Sequence, residues 1–75
     1  MNLNLEVELE DDGRWLAEVV ELPGALAYGV SADEAMARAE ALALRVLAEQ
    51  LEHGEVRPLP ITLSVPAAAC VFGLL

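Results

Sequence analysis

The sequence predicts an α+β domain of order β-β-β-α-β, a mainly antiparallel sheet with one long helix packed on one face. Three observations carry the prediction. Residues 2–10 alternate apolar and polar, a Pro-Gly turn separates two further short extended segments, and a capping box opens a single long run of helical periodicity.

Leu3, Leu5, Val7 and Leu9 alternate with Asn2, Asn4, Glu6, Glu8 and Glu10, which places four aliphatics on one face of a first strand and acids on the other. Asp11-Asp12-Gly13 supplies hairpin chemistry, with Gly13 free to take positive φ, and residues 14–21 return as a second strand. Trp15, Ala17 and Val19 share one face of that strand; Leu16, Glu18 and Val20 share the other, a mixed surface that is only partly wet. In Leu22-Pro23-Gly24, Pro23 presets φ and Gly24 permits left-handed geometry, so the chain turns again. A third strand over residues 25–30 is rich in small side chains. Whatever packs over Ala25, Ala27 and Gly29 can approach closely.

Ser31-Ala32-Asp33-Glu34 reads as a capping box in which the Ser31 hydroxyl accepts from the Glu34 amide and the Glu34 carboxylate returns to the Ser31 amide. Helical periodicity then runs over residues 32–53, with Ala32, Ala35, Met36, Ala39, Leu42, Ala43, Val46 and Leu47 on one face and Gly54 as the stop. Leu44 and Leu51 project about a third of a turn from the centre of that face, wider than one sheet covers, and predict a second contact. Pro58 and Pro60 punctuate a linker, after which Ile61, Leu63 and Val65 alternate with Thr62 and Ser64 as a last strand. The sequence assigns no element to the apolar tail of residues 66–75; the single domain over residues 1–75 has its core at about residues 2–65.

Size and charge narrow the function. A chain of 75 residues with 56% hydrophobic but only 4% aromatic content builds a thin core. Association with a second copy or a partner is the expected source of further burial; the tail residues Val71, Phe72 and Leu74 join Leu44 and Leu51 as candidate oligomer contacts. Thirteen acids stand against four Arg and no Lys, for a net charge of -9. Nucleic-acid binding needs cations to displace phosphate counterions, so direct binding to DNA or RNA is not expected. A basic protein is the complementary partner. Cys70 is the sole cysteine, which leaves no disulfide framework and no metal cluster. The N-terminus lacks the basic start and apolar run of an export signal, and the stretch from Val65 is too short to cross a bilayer and is broken by Pro66. The expected location is cytoplasmic, with no membrane association.

The block from Asp12-Gly13-Arg14-Trp15 through Leu22-Pro23-Gly24 to Tyr28-Gly29-Val30-Ser31-Ala32-Asp33-Glu34-Ala35 resembles the N-terminal domain of HicB-like antitoxins. In that family a Gly-aromatic strand leads to Leu-Pro-Gly, a short strand ending near Gly, and a capped helix beginning with Glu-Ala. The resemblance covers roughly residues 7–54. It implies a trimmed RNase H-like form of the β-β-β-α-β order, and the family's task of neutralising a small basic RNA-cleaving toxin by covering its surface. The helix-turn-helix or ribbon-helix-helix segment of family members that repress their own operon has no counterpart in these 75 residues.

No residue set points to catalysis. Glu6, Glu8, Glu18 and Glu21 are the acids a two-metal nuclease would need, but Glu6 and Glu8 alternate with buried Leu and point to solvent. A solvated acidic face is the better reading, and Glu6, Glu8 and Glu18 become candidate partner-binding residues. Trp15 shares a face with Ala17 and Val19 and reads as a core anchor in preference to a base-stacking platform; Tyr28 reads similarly, with a hydroxyl that needs a partner or an edge position. His53 suits a helix C-terminus, and Cys70 reads as a small hydrophobe. The expected protein is therefore no enzyme, binds no cofactor or metal, and acts as an antitoxin-like binder of a basic protein. The competing reading is a homo-oligomeric interaction or small-ligand module without a toxin.

Overall fold

A computed structural model describes residues 1–58 and 60–66. They form β1 (Asn2–Leu9), β2 (Trp15–Val19), β3 (Leu26–Gly29), α1 (Ala32–Glu52) and β4 (Thr62–Ser64), the α+β order expected from the sequence. The sheet runs β3-β2-β1-β4, with the first three strands antiparallel and β4 parallel to β1. A parallel strand needs a crossover, and α1 supplies it. The candidate oligomer contacts Val71, Phe72 and Leu74, and Cys70, lie outside the described residues.

Each turn follows from its residues. At the β1–β2 hairpin the Gly13 N–H donates to the Glu10 carbonyl at 3.0 Å and the Glu10 N–H to the Arg14 carbonyl at 2.7 Å, with Gly13 at φ 88. This three-residue loop ends in the left-handed residue that glycine supplies most cheaply. Between β2 and β3 the Ala25 N–H donates to the Leu22 carbonyl at 3.0 Å, with Pro23 and Gly24 (φ 90) as the central pair of a type II turn.

The helix starts on Ser31, whose extended backbone (φ -136, ψ 162) and Oγ, accepting from the Glu34 N–H at 3.1 Å, make the expected cap. Such a cap contributes about 1 kcal/mol. The return bond differs by one residue. Glu34 Oε1 accepts from the Val30 N–H at 3.2 Å instead of from Ser31, and also meets Arg38 Nη1 at 3.3 Å. Arg38 Nη1 in turn donates to the Tyr28 carbonyl at 3.0 Å, so one carboxylate and one guanidinium together fasten the first helical turn to β3. At the other end the Glu55 N–H reaches the Gln50 carbonyl at 2.8 Å and the Gly54 N–H the Leu51 carbonyl at 3.2 Å, with Gly54 at φ 70. That pair of bonds is the Schellman arrangement, and Gly54 is the predicted stop.

Leu3, Leu5, Ala17 and Val19 from the sheet meet Ala35, Met36, Ala39, Ala43 and Leu47 from the helix, with Leu22 and Ala25 closing one end. Trp15, Val7, Ala27 and Leu63 pack at the margin. Three of those five helix residues are alanines, so the helix rides close to the sheet and the core is thin.

Two expected core positions are corrected. Leu9 is 58% exposed. Its cross-strand partner is Trp15, which pairs with Gly29, and the helix begins over Gly29; Leu9 sits two strands away, roughly 10 Å, beyond the cover of the first turn. Val46 is 37% exposed because at this level the sheet lies under Ala43 and Leu47, and Val46 is rotated about 100° from Leu47.

Candidate functional site

The helix covers one face of the sheet; among the described residues no element packs over the other. Alternation puts Glu6 and Glu8 of β1, Leu16 and Glu18 of β2, and Leu26 and Tyr28 of β3 on that open face. Register arranges them in two rows across three strands. Glu6 lies opposite Glu18, which lies opposite Leu26; Glu8 lies opposite Leu16, which lies opposite Tyr28. The face is thus acidic over β1 and apolar over β3, with Glu18 at the boundary.

The three predicted partner-binding carboxylates, Glu6, Glu8 and Glu18, are brought together. All three are exposed, and among the described residues none has an ion-pair or side-chain hydrogen-bond partner. Glu6 and Glu18 face each other directly, an arrangement that destabilises a sheet by a few tenths of a kcal/mol up to about 1 kcal/mol. A shallow depression on this face is lined by Leu5, Glu6, Val7 and Glu8 of β1, Leu16 and Glu18 of β2, and Pro66. The arrangement offers three carboxylates that pair with no cation among the described residues, and apolar contact area beside them.

Tyr28 is not the core anchor its apolar neighbours suggested. It is 38% exposed, and the Arg14 guanidinium carbon lies 4.2 Å from its ring centre. This cation–π stack fixes the ring at the sheet edge. Arg14 is held from behind by Asp12, whose Oδ2 accepts from Arg14 Nε at 2.7 Å and whose Oδ1 accepts from the Arg14 N–H at 3.1 Å. Those bonds, the backbone one first, hold the Asp12 carboxyl below its ordinary value of 3.8. Leu26 and Tyr28 were missed as site residues, although the alternation that turns Ala25, Ala27 and Gly29 inward points both of them outward. Their place beside Glu18 and Leu16 depended on register, which the sequence does not state.

Glu21, the fourth acid of interest, stands apart and serves the fold. Its Oε1 accepts from the Asn4 N–H and its Oε2 from Asn4 Nδ2, each at 2.7 Å. The backbone donor is the main reason its carboxyl titrates below the ordinary 4.5. A depressed native pKa adds stability above the unfolded value and loses it as pH falls through the native one. Between about pH 5 and pH 3 the native chain is therefore expected to lose more stability than Glu21→Gln. Denaturant melts of the two proteins across that interval check it; parallel curves would show that Glu21 takes no part in acid sensitivity.

Among the described residues no group of three His, Cys, Asp or Glu side chains is placed to hold a metal ion, and no described helix is long and apolar enough to cross a membrane. His53 is the helix C-cap residue, its backbone N–H donating to the Glu49 carbonyl at 3.0 Å. Comparison with known protein families, with curated proteins and with solved structures finds no match.

Proposed function

We propose that the chain is an antitoxin-like binding protein that neutralises a small, basic, RNA-cleaving toxin by covering its surface, and that it does so from the cytoplasm with no catalytic step of its own. The observation that carries this reading is the open sheet face: Glu6, Glu8 and Glu18 side by side, with Leu16, Leu26 and Tyr28 next to them. Stability alone gives no reason to set Glu6 opposite Glu18. A cation placed between them by a partner converts that repulsion into attraction, so the energy withheld in the free chain is released on binding. The apolar row supplies desolvated contact area, and the acids steer the encounter. The Leu-Pro-Gly and capped-helix block supports the same assignment through its resemblance to HicB-like antitoxins.

The test uses Glu6→Gln, Glu8→Gln and Glu18→Gln together. The triple variant is expected to fold at least as stably as the native chain, because one like-charge pair is gone, and to lose most of its affinity for the basic partner. Binding by the native chain should weaken as salt rises, since screening acts over about 8 Å at physiological ionic strength. Co-expression with a basic protein encoded in a neighbouring frame gives the readout: growth rescued by the native chain and not by the variant. Rescue by both would remove the acidic face from the mechanism. The competing reading, a self-associating module, draws on the exposed Leu44 and Leu51.

A further inference from the structure

We propose that a second copy of this chain packs antiparallel against the outer side of α1, along a seam of Ala37, Ala41, Leu44, Ala48 and Leu51. The inference does not depend on the toxin-binding reading, which uses the opposite face of the sheet. These five residues recur at spacings of four, three, four and three, the heptad rhythm of a helix–helix contact. They form a line about a third of a turn from the residues that face the sheet. Leu44 is 51% exposed and Leu51 40%, so the line holds two large side chains that stay largely exposed among the described residues.

The side-chain sizes select the orientation. With Leu44 of one copy level with Ala48 of the other, the seam reads Ala41–Leu51, Leu44–Ala48, Ala48–Leu44 and Leu51–Ala41. Every layer then pairs one large residue with one small, so the layers have equal width and the helices can approach evenly. The same register opposes the two helix dipoles. A parallel pair would bring Glu40 to Arg45, but it would also stack Leu44 on Leu44 and Ala41 on Ala41, crowding one layer and emptying the next. A two-fold axis through the middle of the helix satisfies the antiparallel case with a single self-complementary patch.

The seam spans about 21 Å of helix, which places the contact at the small end of stable interfaces and predicts association in the micromolar range. Sedimentation equilibrium of the full chain at concentrations up to about 100 µM should therefore report twice the 8.0 kDa chain mass. Leu44→Glu is expected to weaken association at least tenfold, roughly, with an unchanged circular dichroism spectrum, and Ala48→Glu provides an independent disruption at the same layer. Orientation is read by disulfide trapping in a Cys70→Ser background. Mixed Leu44→Cys and Ala48→Cys chains should cross-link to each other, because a disulfide needs Cα atoms within about 7 Å. A monomer throughout the range, or a dimer that neither Glu substitution disturbs, would overturn the proposal; efficient self-linking of Leu44→Cys would overturn the antiparallel arrangement.

Discussion

Leu3→Ala is expected to remove about 2–5 kcal/mol of stability, the span measured for large aliphatics truncated in a core. Leu3 is fully buried and, with Val19, is one of the two largest side chains sealed from solvent. Around it the helix contributes mostly alanine, whose methyl groups cannot swing in to fill the space, so the vacated volume stays open. A domain of 75 residues has roughly 4–11 kcal/mol in total. The variant should therefore melt more than about 10 °C below the native chain, and it stands close to unfolding at ambient temperature. A thermal melt measures the shift. A change under about 3 °C would mean that the packing around β1 relaxes in a way this small core does not suggest.

Gly29→Ala is expected to cost about 1–3 kcal/mol for a different reason. A Cβ at this position would lie 2.6 Å from the Ala35 backbone nitrogen and 3.0 Å from both the Ala35 Cα and the Glu34 Cβ. Backbone cannot step aside alone, so the first turn of α1 must lift from β3, loosening the Glu34 and Arg38 contacts that fasten it. Gly24→Ala makes an instructive comparison. A Cβ there meets nothing within 4 Å, but φ is +90, so its cost comes from backbone conformation and leaves the helix seated. Hydrogen exchange of the amides of residues 34–38, with denaturant melts, separates the two. Faster exchange should accompany the Gly29 change only; equal exchange in both would show that the helix does not depend on this close approach.

Much of the fold was legible because the decisive signals are local. Asp11-Asp12-Gly13, Pro23-Gly24, Ser31 with Glu34, and Gly54 each specify a turn or a helix end through their own φ preferences and hydrogen bonds. Alternation along β1 separated Glu6 and Glu8 from Leu3 and Leu5, and the small residues of β3 announced the close helix. What the sequence could not state was relative placement. Leu9 obeys the same alternation as Leu3 yet stays exposed, because cover depends on where the helix crosses the sheet. Val46 falls on the averaged helical face but not over the line that the sheet occupies locally. Likewise, the row Glu6–Glu18–Leu26 exists only once register is set, so the acids were readable as a solvated face but the apolar row beside them was not.

The parallel pairing of β4 with β1 bears on the order in which the chain folds. Asn2 lies beside Thr62 and Leu3 beside Leu63, so these contacts close a loop of some sixty residues, whereas the β1–β2 hairpin closes over the few residues from Leu9 to Trp15. Loop-closure entropy favours the hairpins and the helix docking on them before β4 arrives. A three-residue strand held by so few ladder bonds also detaches at the least free energy. Opening of β4 would expose the flank of β1, the strand that carries Glu6 and Glu8. The acidic face is thus attached to the element whose outer neighbour folds last and leaves first.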